Sequence, residues 1–186
     1  MYKRQVLFRA DLTDPVNVDG ARWLVEEVLP HLPPSFSLDL VGPVGDAVAA
    51  LAQDGVHVHG PSTDLLASYQ FADVAVAPQG EPGRGRAQVL EAFVHRRAVV
   101  STPVAADGLD VRPGVHLRTG GDPEAFAMAV VASAQPKTAA AGEILEAQVA
   151  AGAHLAATHH DAAALQTYAA SLLAAATGVE RPASVA

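Results

Sequence analysis

The chain has 186 residues, of which half are apolar and 17% are charged, and its net charge is -8 at neutral pH. This length and composition are typical of one globular domain with its own core and exclude a disordered chain. The lack of cysteine excludes a disulfide framework and a thiolate metal site. The negative net charge predicts that the protein does not bind nucleic acid or an anionic membrane surface. No apolar run approaches the ~20 residues that a membrane span needs, so we expect a cytoplasmic protein.

Strands alternate with helices through residues 1–134. The predicted strands are Val6 to Ala10, Ser37 to Val41, Val56 to His59, Val74 to Ala77, Ala98 to Ser101 and Val115 to Arg118. The predicted helices begin at or near Asn17, Asp46, Ser62 or Thr63, Ala87 and Asp122. This alternation predicts a Rossmann-like three-layer α/β domain, in which helices cover both faces of a parallel sheet. We expect a doubly wound, six-stranded sheet of order 3-2-1-4-5-6, with a ligand crevice where the order reverses between the first and fourth strands.

An alanine-rich extension follows over residues 135–180. Alanine favours helix, so the pattern predicts two or three helical pieces, interrupted near Gly152 and near His159-His160-Asp161. We expect these helices to pack on the same domain, at one side of the sheet, and residues 181–186 to form a frayed tail. Because His154 and the His159-His160 pair do not converge on one helix face, no metal site is predicted there.

A glycine-rich loop joins the fourth predicted strand to the next helix. It follows Pro78 and carries Arg84 and Arg86 among its glycines. Backbone N–H groups at a helix N-terminus have no intrahelical acceptor, and the helix dipole places partial positive charge there. An arginine beside them adds a charge that suits phosphate. The segment therefore predicts an anion-binding site.

Several short motifs occur in order between about residues 5 and 134. Around the loop they are Pro78, Arg86-Ala87-Gln88-Val89-Leu90-Glu91-Ala92, Ala98-Val99-Val100-Ser101-Thr102 and Ala105-Ala106-Asp107-Gly108-Leu109. Upstream they are Asn17-Val18-Asp19-Gly20-Ala21-Arg22-Trp23-Leu24, Val28-Leu29-Pro30, Leu38-Asp39-Leu40-Val41-Gly42 and Val58-His59-Gly60. This ordered set resembles the C-terminal, donor-binding domain of GT-B glycosyltransferases, in particular the large retaining family 4 (glycosyl transferase group 1).

The resemblance implies contacts to a nucleoside-diphosphate sugar, which would be a UDP-, GDP- or other sugar nucleotide bound without a metal or a further cofactor. The implied contacts are Gly85, Arg86, Ala87 and Gln88 for the diphosphate, Glu91 for the ribose, His59, Gly60 and Pro61 for the base, and Glu81 and Gly83 for a possible sugar loop. Arg84 is an alternate to Arg86. The ribose diol suits Glu91 because a carboxylate accepts hydrogen bonds without donating any.

Three positions depart from the family motif. Gln88 stands where the family has lysine, and an amide cannot neutralise a phosphate. Gly83 stands where many members carry a second glutamate. Ala10 replaces the glycine usual after the first strand, where the backbone should approach the phosphates closely. These departures leave open a weakened, altered or lost donor site.

The resemblance also implies that an N-terminal acceptor domain is missing from this chain. GT-B enzymes hold the acceptor on that domain and catalyse in the cleft between the two domains. We therefore expect a fragment, or a module that needs a partner chain or self-associates through the same surface, and no turnover by the chain alone. No catalytic residue can be identified from the sequence. Two functions remain: the donor domain of a retaining glycosyltransferase that moves a hexose to an acceptor hydroxyl, and a non-catalytic Rossmann-like interaction module with a degenerate donor site.

Overall fold

The computed structural model describes residues 3–61 and 65–159, and it contains the expected parallel sheet. The strands are β1 (Arg4–Arg9), β2 (Phe36–Val41), β3 (Val56–His59), β4 (Val74–Ala77), β5 (Ala98–Ser101) and β6 (Arg118–Thr119). All neighbouring pairs are parallel, and the order β3-β2-β1-β4-β5-β6 confirms the prediction. The order reverses between β1 and β4, so the loops that leave these two strands diverge at the carboxyl edge of the sheet.

Helices connect the strands and cover both faces. They are α1 (Pro15–Trp23), α2 (Asp46–Ala49), α3 (Leu65–Phe71), α4 (Arg86–Val94), α5 (Pro123–Ala134) and α6 (Ala139–His159). A π-helical turn at Leu24–Val28 and a 3-10 turn at Leu29–His31 prolong α1. No helix in the described part of the chain is long and apolar enough to span a membrane.

The alternation of side chains along each strand divides the core into two layers. On one face Val6, Phe8 and other strand residues pack against α1 and α5, where Trp23 meets Phe126 edge-to-face at 5.1 Å between ring centroids. On the other face Leu7 belongs to a second cluster formed with α3, α4 and α6. Successive strand residues point to opposite faces, so a strand that is buried on both faces has no polar side.

The start of α1 differs from the prediction. The N-cap is Asp14, not Asn17, and its carboxylate accepts a hydrogen bond from the N–H of Val16. Pro15 is the first helical residue, a position where its missing N–H costs nothing. Asn17 is instead buried, and its Nδ2 donates to the carbonyl of Asp11 at 2.9 Å. The earlier Asp-Pro pair therefore supplies the stronger start signal.

Two further boundaries needed correction. The sixth strand is the short Arg118–Thr119 and not Val115 to Arg118, because a turn in which the Gly114 N–H donates to the Leu117 carbonyl occupies the preceding residues. The predicted helix from Asp46 to Gln53 ends after one turn, at Ala49. By contrast, Asp122 caps α5 as predicted, since its carboxylate accepts from the N–H of Ala125.

The alanine-rich extension begins with a single long helix. The predicted interruption near Gly152 is wrong, since α6 runs through it without a break. A Cβ at Gly152 would lie 2.6 Å from Cδ1 of Phe93, so this glycine permits α6 to pack closely on α4. The Nε2 of Gln148 also donates to the Leu117 carbonyl at 3.1 Å. The predicted cap at residues 62–63, the break after His159, the remaining helices and the tail lie outside the described residues.

Candidate functional site

The loop between β4 and α4 is tied to the segment that follows β5. The N–H groups of Gly83 and Gly85 donate to the carbonyls of Val104 and Ala105, at 2.8 and 2.9 Å. Gly83 has a φ of +70°, which L side chains rarely adopt. A Cβ at Gly85 would lie 2.7 Å from that of Ala105, so the close approach of the two segments requires glycine. These contacts place the N-terminus of α4 at the carboxyl edge of the sheet.

The N-terminus of α4 has the properties of an anion site. No side chain caps this helix, and Ala87 and Gln88 lie in the first turn, where backbone N–H groups have no intrahelical acceptor. The exposed Arg86 is folded back along the loop, with its Nε donating to the Gly83 carbonyl at 3.0 Å. Gly108 makes room for the guanidinium, since a Cβ there would lie 2.7 Å from Nη1 of Arg86. A cation held beside amides that have no intrahelical acceptor suits phosphate.

Arg84, the alternate to Arg86, contacts the loop that follows β1. Its Nη2 lies 2.7 Å from Oδ2 of Asp14. Partial burial opposes ionisation of Asp14, but the hydrogen bonds from Arg84 and from the Val16 N–H outweigh it and lower the pKa of this carboxyl below its usual value. The pair thus joins the two loops that flank the point of strand-order reversal.

A buried network of side-chain hydrogen bonds links the loop after β4 to α1 and to the residue that follows β5. The side chain of Gln79 is fully buried, and its Nε2 donates to Oδ1 of Asn17 at 2.9 Å. Thr102, which follows β5, donates through its Oγ1 to the Gln79 carbonyl at 2.6 Å. Sequence reasoning missed Gln79 and Thr102, although a polar residue within two positions of the end of a buried parallel strand is a signal for this edge. Beside the network a cavity of about 550 Å³ is lined by residues that include Gly20, Pro78 and Thr102.

Glu91 lies below this edge and is only 7% exposed. The Nη1 of Arg9, from the end of β1, donates to its Oε1 at 2.6 Å, and the hydroxyl of Tyr69 donates to its Oε2 at 3.2 Å. Burial raises the pKa of Glu91 above its usual value, against the opposing effects of the Arg9 charge and of the two hydrogen bonds. Both oxygens therefore have protein partners, and only their remaining lone pairs are open to a ligand.

The other predicted contacts fall into two groups. Gln88 is buried, with no hydrogen-bond partner for its Oε1 among the described residues, so Arg86 is the exposed side chain among the predicted diphosphate contacts. Glu81 is exposed on the same loop. His59, Gly60 and Pro61 are exposed at the end of β3, three strand spacings from β4. At about 4.8 Å per spacing the two groups are roughly 14 Å apart across the sheet.

His59 lies beside two residues that were not predicted to act with it. Its Nε2 and the Nδ1 of His57 are each 3.1 Å from Oδ1 of Asp39, on β2. All three ligand atoms lie within 4.8 Å of one another. The alternation of side chains along β3 places both histidines on one side of the strand, whereas the approach of Asp39 requires the pairing of β2 with β3.

A six-stranded parallel sheet of this order with flanking helices is a Rossmann-like fold, and it matches the fold of GT-B glycosyltransferase structures. The family model described as glycosyl transferases group 1 matches residues 3–135, and the chain belongs to this family. No curated protein matches the sequence significantly.

Solved structures of glycosyltransferases share this fold at low sequence identity. HepE of Anabaena, in complex with UDP and glucose, matches 93% of the chain with a TM-score of 0.71 and 17% identity. A glycosyltransferase of Rickettsia africae matches 97% with a TM-score of 0.66 and 14% identity. WaaG, a glycosyltransferase involved in lipopolysaccharide biosynthesis, matches 95% with a TM-score of 0.62 and 16% identity. The matches cover 48%, 49% and 48% of these proteins, so the chain spans about half their length.

Proposed function

We propose that this domain binds a nucleoside-diphosphate sugar and acts as the donor half of a retaining glycosyltransferase that transfers a hexose to an acceptor hydroxyl. The observation that carries the proposal is the uncapped N-terminus of α4 with Arg86 folded beside it. Membership of the group 1 family supports it, as does the UDP bound to the similarly folded HepE.

The domain contributes positioning and charge stabilisation in this proposal. The backbone N–H groups of Ala87 and Gln88 and the Arg86 guanidinium hold the diphosphate, whose negative charge grows as the sugar departs. Gly85 contributes the close turn that precedes them, because its own N–H donates to the Ala105 carbonyl. Glu91 accepts hydrogen bonds from the ribose through its remaining lone pairs. The base lies toward His59-Gly60-Pro61, and Glu81 and Gly83 border the sugar. The diphosphate charge is met by arginine and helix dipole, without a metal.

The acceptor site belongs to an N-terminal domain in this proposal, either in the same gene product or in a partner chain. Catalysis then takes place between the two halves. Such a partner, or a second copy of this chain, would cover apolar side chains of this domain. The large exposed ones in the described residues are Phe71, Val94, Val115, Met128 and Ile144.

One observation favours the second candidate, a non-catalytic module. Arg9 neutralises Glu91 from within the protein, and Gln88 supplies neither charge nor exposure. A ribose would have to share the carboxylate with Arg9 and Tyr69. In this second candidate the domain keeps the fold and docks a partner, but it binds no sugar nucleotide.

Titration calorimetry with UDP, GDP and uridine separates the two candidates. Arg86→Ala should weaken binding of the diphosphate about tenfold or more and leave uridine almost unchanged, because one charge-assisted bond contributes roughly 1.5 to 3 kcal/mol. Lys3→Ala is the matched control: it removes a cation at the opposite end of β1, where Lys3 contacts Asp54. An absence of nucleotide binding, or equal losses in both variants, would favour the non-catalytic module.

A further inference from the structure

The side chains of Asp39, His57 and His59 converge on one face of the sheet. This arrangement follows from the local sequence and the register. His57 and His59 are two residues apart on a strand, so they point to the same face. Parallel pairing of β2 with β3 places Asp39 beside His57. Asp39 alternates with the buried Leu38 and Leu40, which point to the opposite face.

The donor atoms have the spacing of metal ligands. Oδ1 of Asp39 is 3.1 Å from Nδ1 of His57 and 3.1 Å from Nε2 of His59. Two ligands at about 2.0–2.1 Å from a tetrahedral zinc ion lie roughly 3.3 Å apart, which is close to the spacing of the two pairs that include Asp39. The two histidine nitrogens lie within 4.8 Å of each other. Imidazole nitrogen and carboxylate oxygen are both normal zinc ligands.

The cluster is accessible from solvent. The side chains of His57 and His59 are 50% and 54% exposed, while that of Asp39 is 14% exposed and is held by the sheet. A cavity of about 400 Å³ adjoins the three residues and is bordered by α3, where Ser68 and Phe71 line it. Three protein ligands and an open side leave the fourth position of a tetrahedral ion free for water or a small anion.

We propose that Asp39, His57 and His59 form a binding site for a divalent transition metal, zinc in particular, with one coordination position open to this cavity. The net charge of -8 favours accumulation of cations around the chain. The site shares His59 with the proposed base contact, but the metal titration contains no nucleotide, so its outcome does not depend on binding of a sugar nucleotide.

Titration of the untagged, metal-free protein with Zn²⁺ by calorimetry, and with Co²⁺ by visible absorption, tests the site. We expect one equivalent to bind and the cobalt spectrum to be that of a four-coordinate ion. His57→Gln and His59→Gln should each weaken binding by at least about tenfold, a loss that removal of even an outer-shell partner can cause. Both residues are exposed, so the variants should fold, which circular dichroism checks.

His31→Gln and His154→Gln are matched controls, because each removes a histidine outside the cluster. Retention of affinity in these variants, together with its loss in the two ligand variants and in Asp39→Asn, supports the site. The proposal is overturned if the protein takes up no equivalent of metal. It is also overturned if His57→Gln and His59→Gln bind as the parent does, or if His154→Gln loses as much affinity as they do.

Discussion

Two carboxylates near the carboxyl edge of the sheet have opposite surroundings. Glu91 is enclosed, with Arg9 and Tyr69 on its two oxygens. Asp39 also faces two partners, His57 and His59, but these are half-exposed and open onto a cavity. The family motif marks Glu91 as a ligand contact, whereas no motif marks Asp39 as one. A motif therefore locates a residue along the chain, but burial and partners decide how readily a ligand reaches it.

Removal of Arg9 should have the largest effect on stability. Arg9→Met retains an apolar stem but leaves Glu91 buried without its cation, and breaking a buried pair in this way costs about 3 to 5 kcal/mol. Urea unfolding at neutral pH measures the change. Asp39→Asn is the comparison at the open carboxylate, and we expect it to lower the free energy of unfolding by less than about 1 kcal/mol. A similar cost for both variants would abolish the distinction between an enclosed and an open carboxylate.

Gly152 permits the close packing of α6 against α4, the helix that carries Glu91. Gly152→Ala should destabilise the fold by about 1 to 3 kcal/mol, because the added methyl group overlaps the ring of Phe93. Gly142→Ala is the control on the same helix: a Cβ there meets nothing within 4 Å, so this variant should gain about 0.5 to 1 kcal/mol from helix propensity. Thermal unfolding of both variants compares them, and a gain in Gly152→Ala would show that the two helices are less tightly packed.

His95 should make the enclosed region sensitive to acid. Its ring stacks on Tyr69 at 4.5 Å, and burial, followed by the charges of Arg9 and Arg97, lowers its pKa below 6.5. Below pH 6.5 the unfolded chain binds a proton that the folded chain does not, so His95 contributes stability that is lost as the pH falls through this range. The raised pKa of Glu91 acts in the opposite direction, above its usual value of 4.5.

His95→Phe keeps a ring on Tyr69 but removes the titrating group. The melting temperature of this variant should fall less between pH 7.5 and pH 5.5 than that of the parent. Other groups, including Glu91, are present in both proteins, so the difference between the two falls gives the contribution of His95. Equal falls in the two proteins would contradict the assignment.

The smallest effect is expected for the ion pair between Arg84 and Asp14. Both side chains are partly exposed, and pairs of this kind contribute about 0 to 1 kcal/mol. Arg84→Ala should therefore change the unfolding free energy by less than about 0.5 kcal/mol in 0.15 M salt. A larger loss would mean that this contact, and not only the buried amides of Gln79 and Asn17, holds the two loops together.

Features that depend on local sequence were the ones that could be predicted. Alternating strand and helix patterns predicted a parallel sheet covered on both faces, and Asp122-Pro123 predicted the start of α5. Local rules failed where two signals competed, as at Asp14 and Asn17. They also failed at Gly152, where a glycine serves a contact with Phe93 and not a break.

The candidate site was predicted less completely, because its residues meet through the fold. Arg9 and Glu91 are 82 positions apart, and their pairing requires that β1 lie beside β4. Likewise, the alternation along β3 placed His57 and His59 together. The position of Asp39 beside them depends on the parallel register of β2.

The central claim is that the loop after β4 binds a diphosphate. Titration of the ¹⁵N-labelled domain with UDP, followed by amide chemical shifts, tests it most directly. We predict saturable shifts of the backbone amides of Arg86, Ala87 and Gln88 that are larger with UDP than with uridine, because the N–H groups in the first turn of a helix are the expected phosphate donors. Unmoved amides at these three residues, while UDP is bound elsewhere or not at all, would contradict the claim.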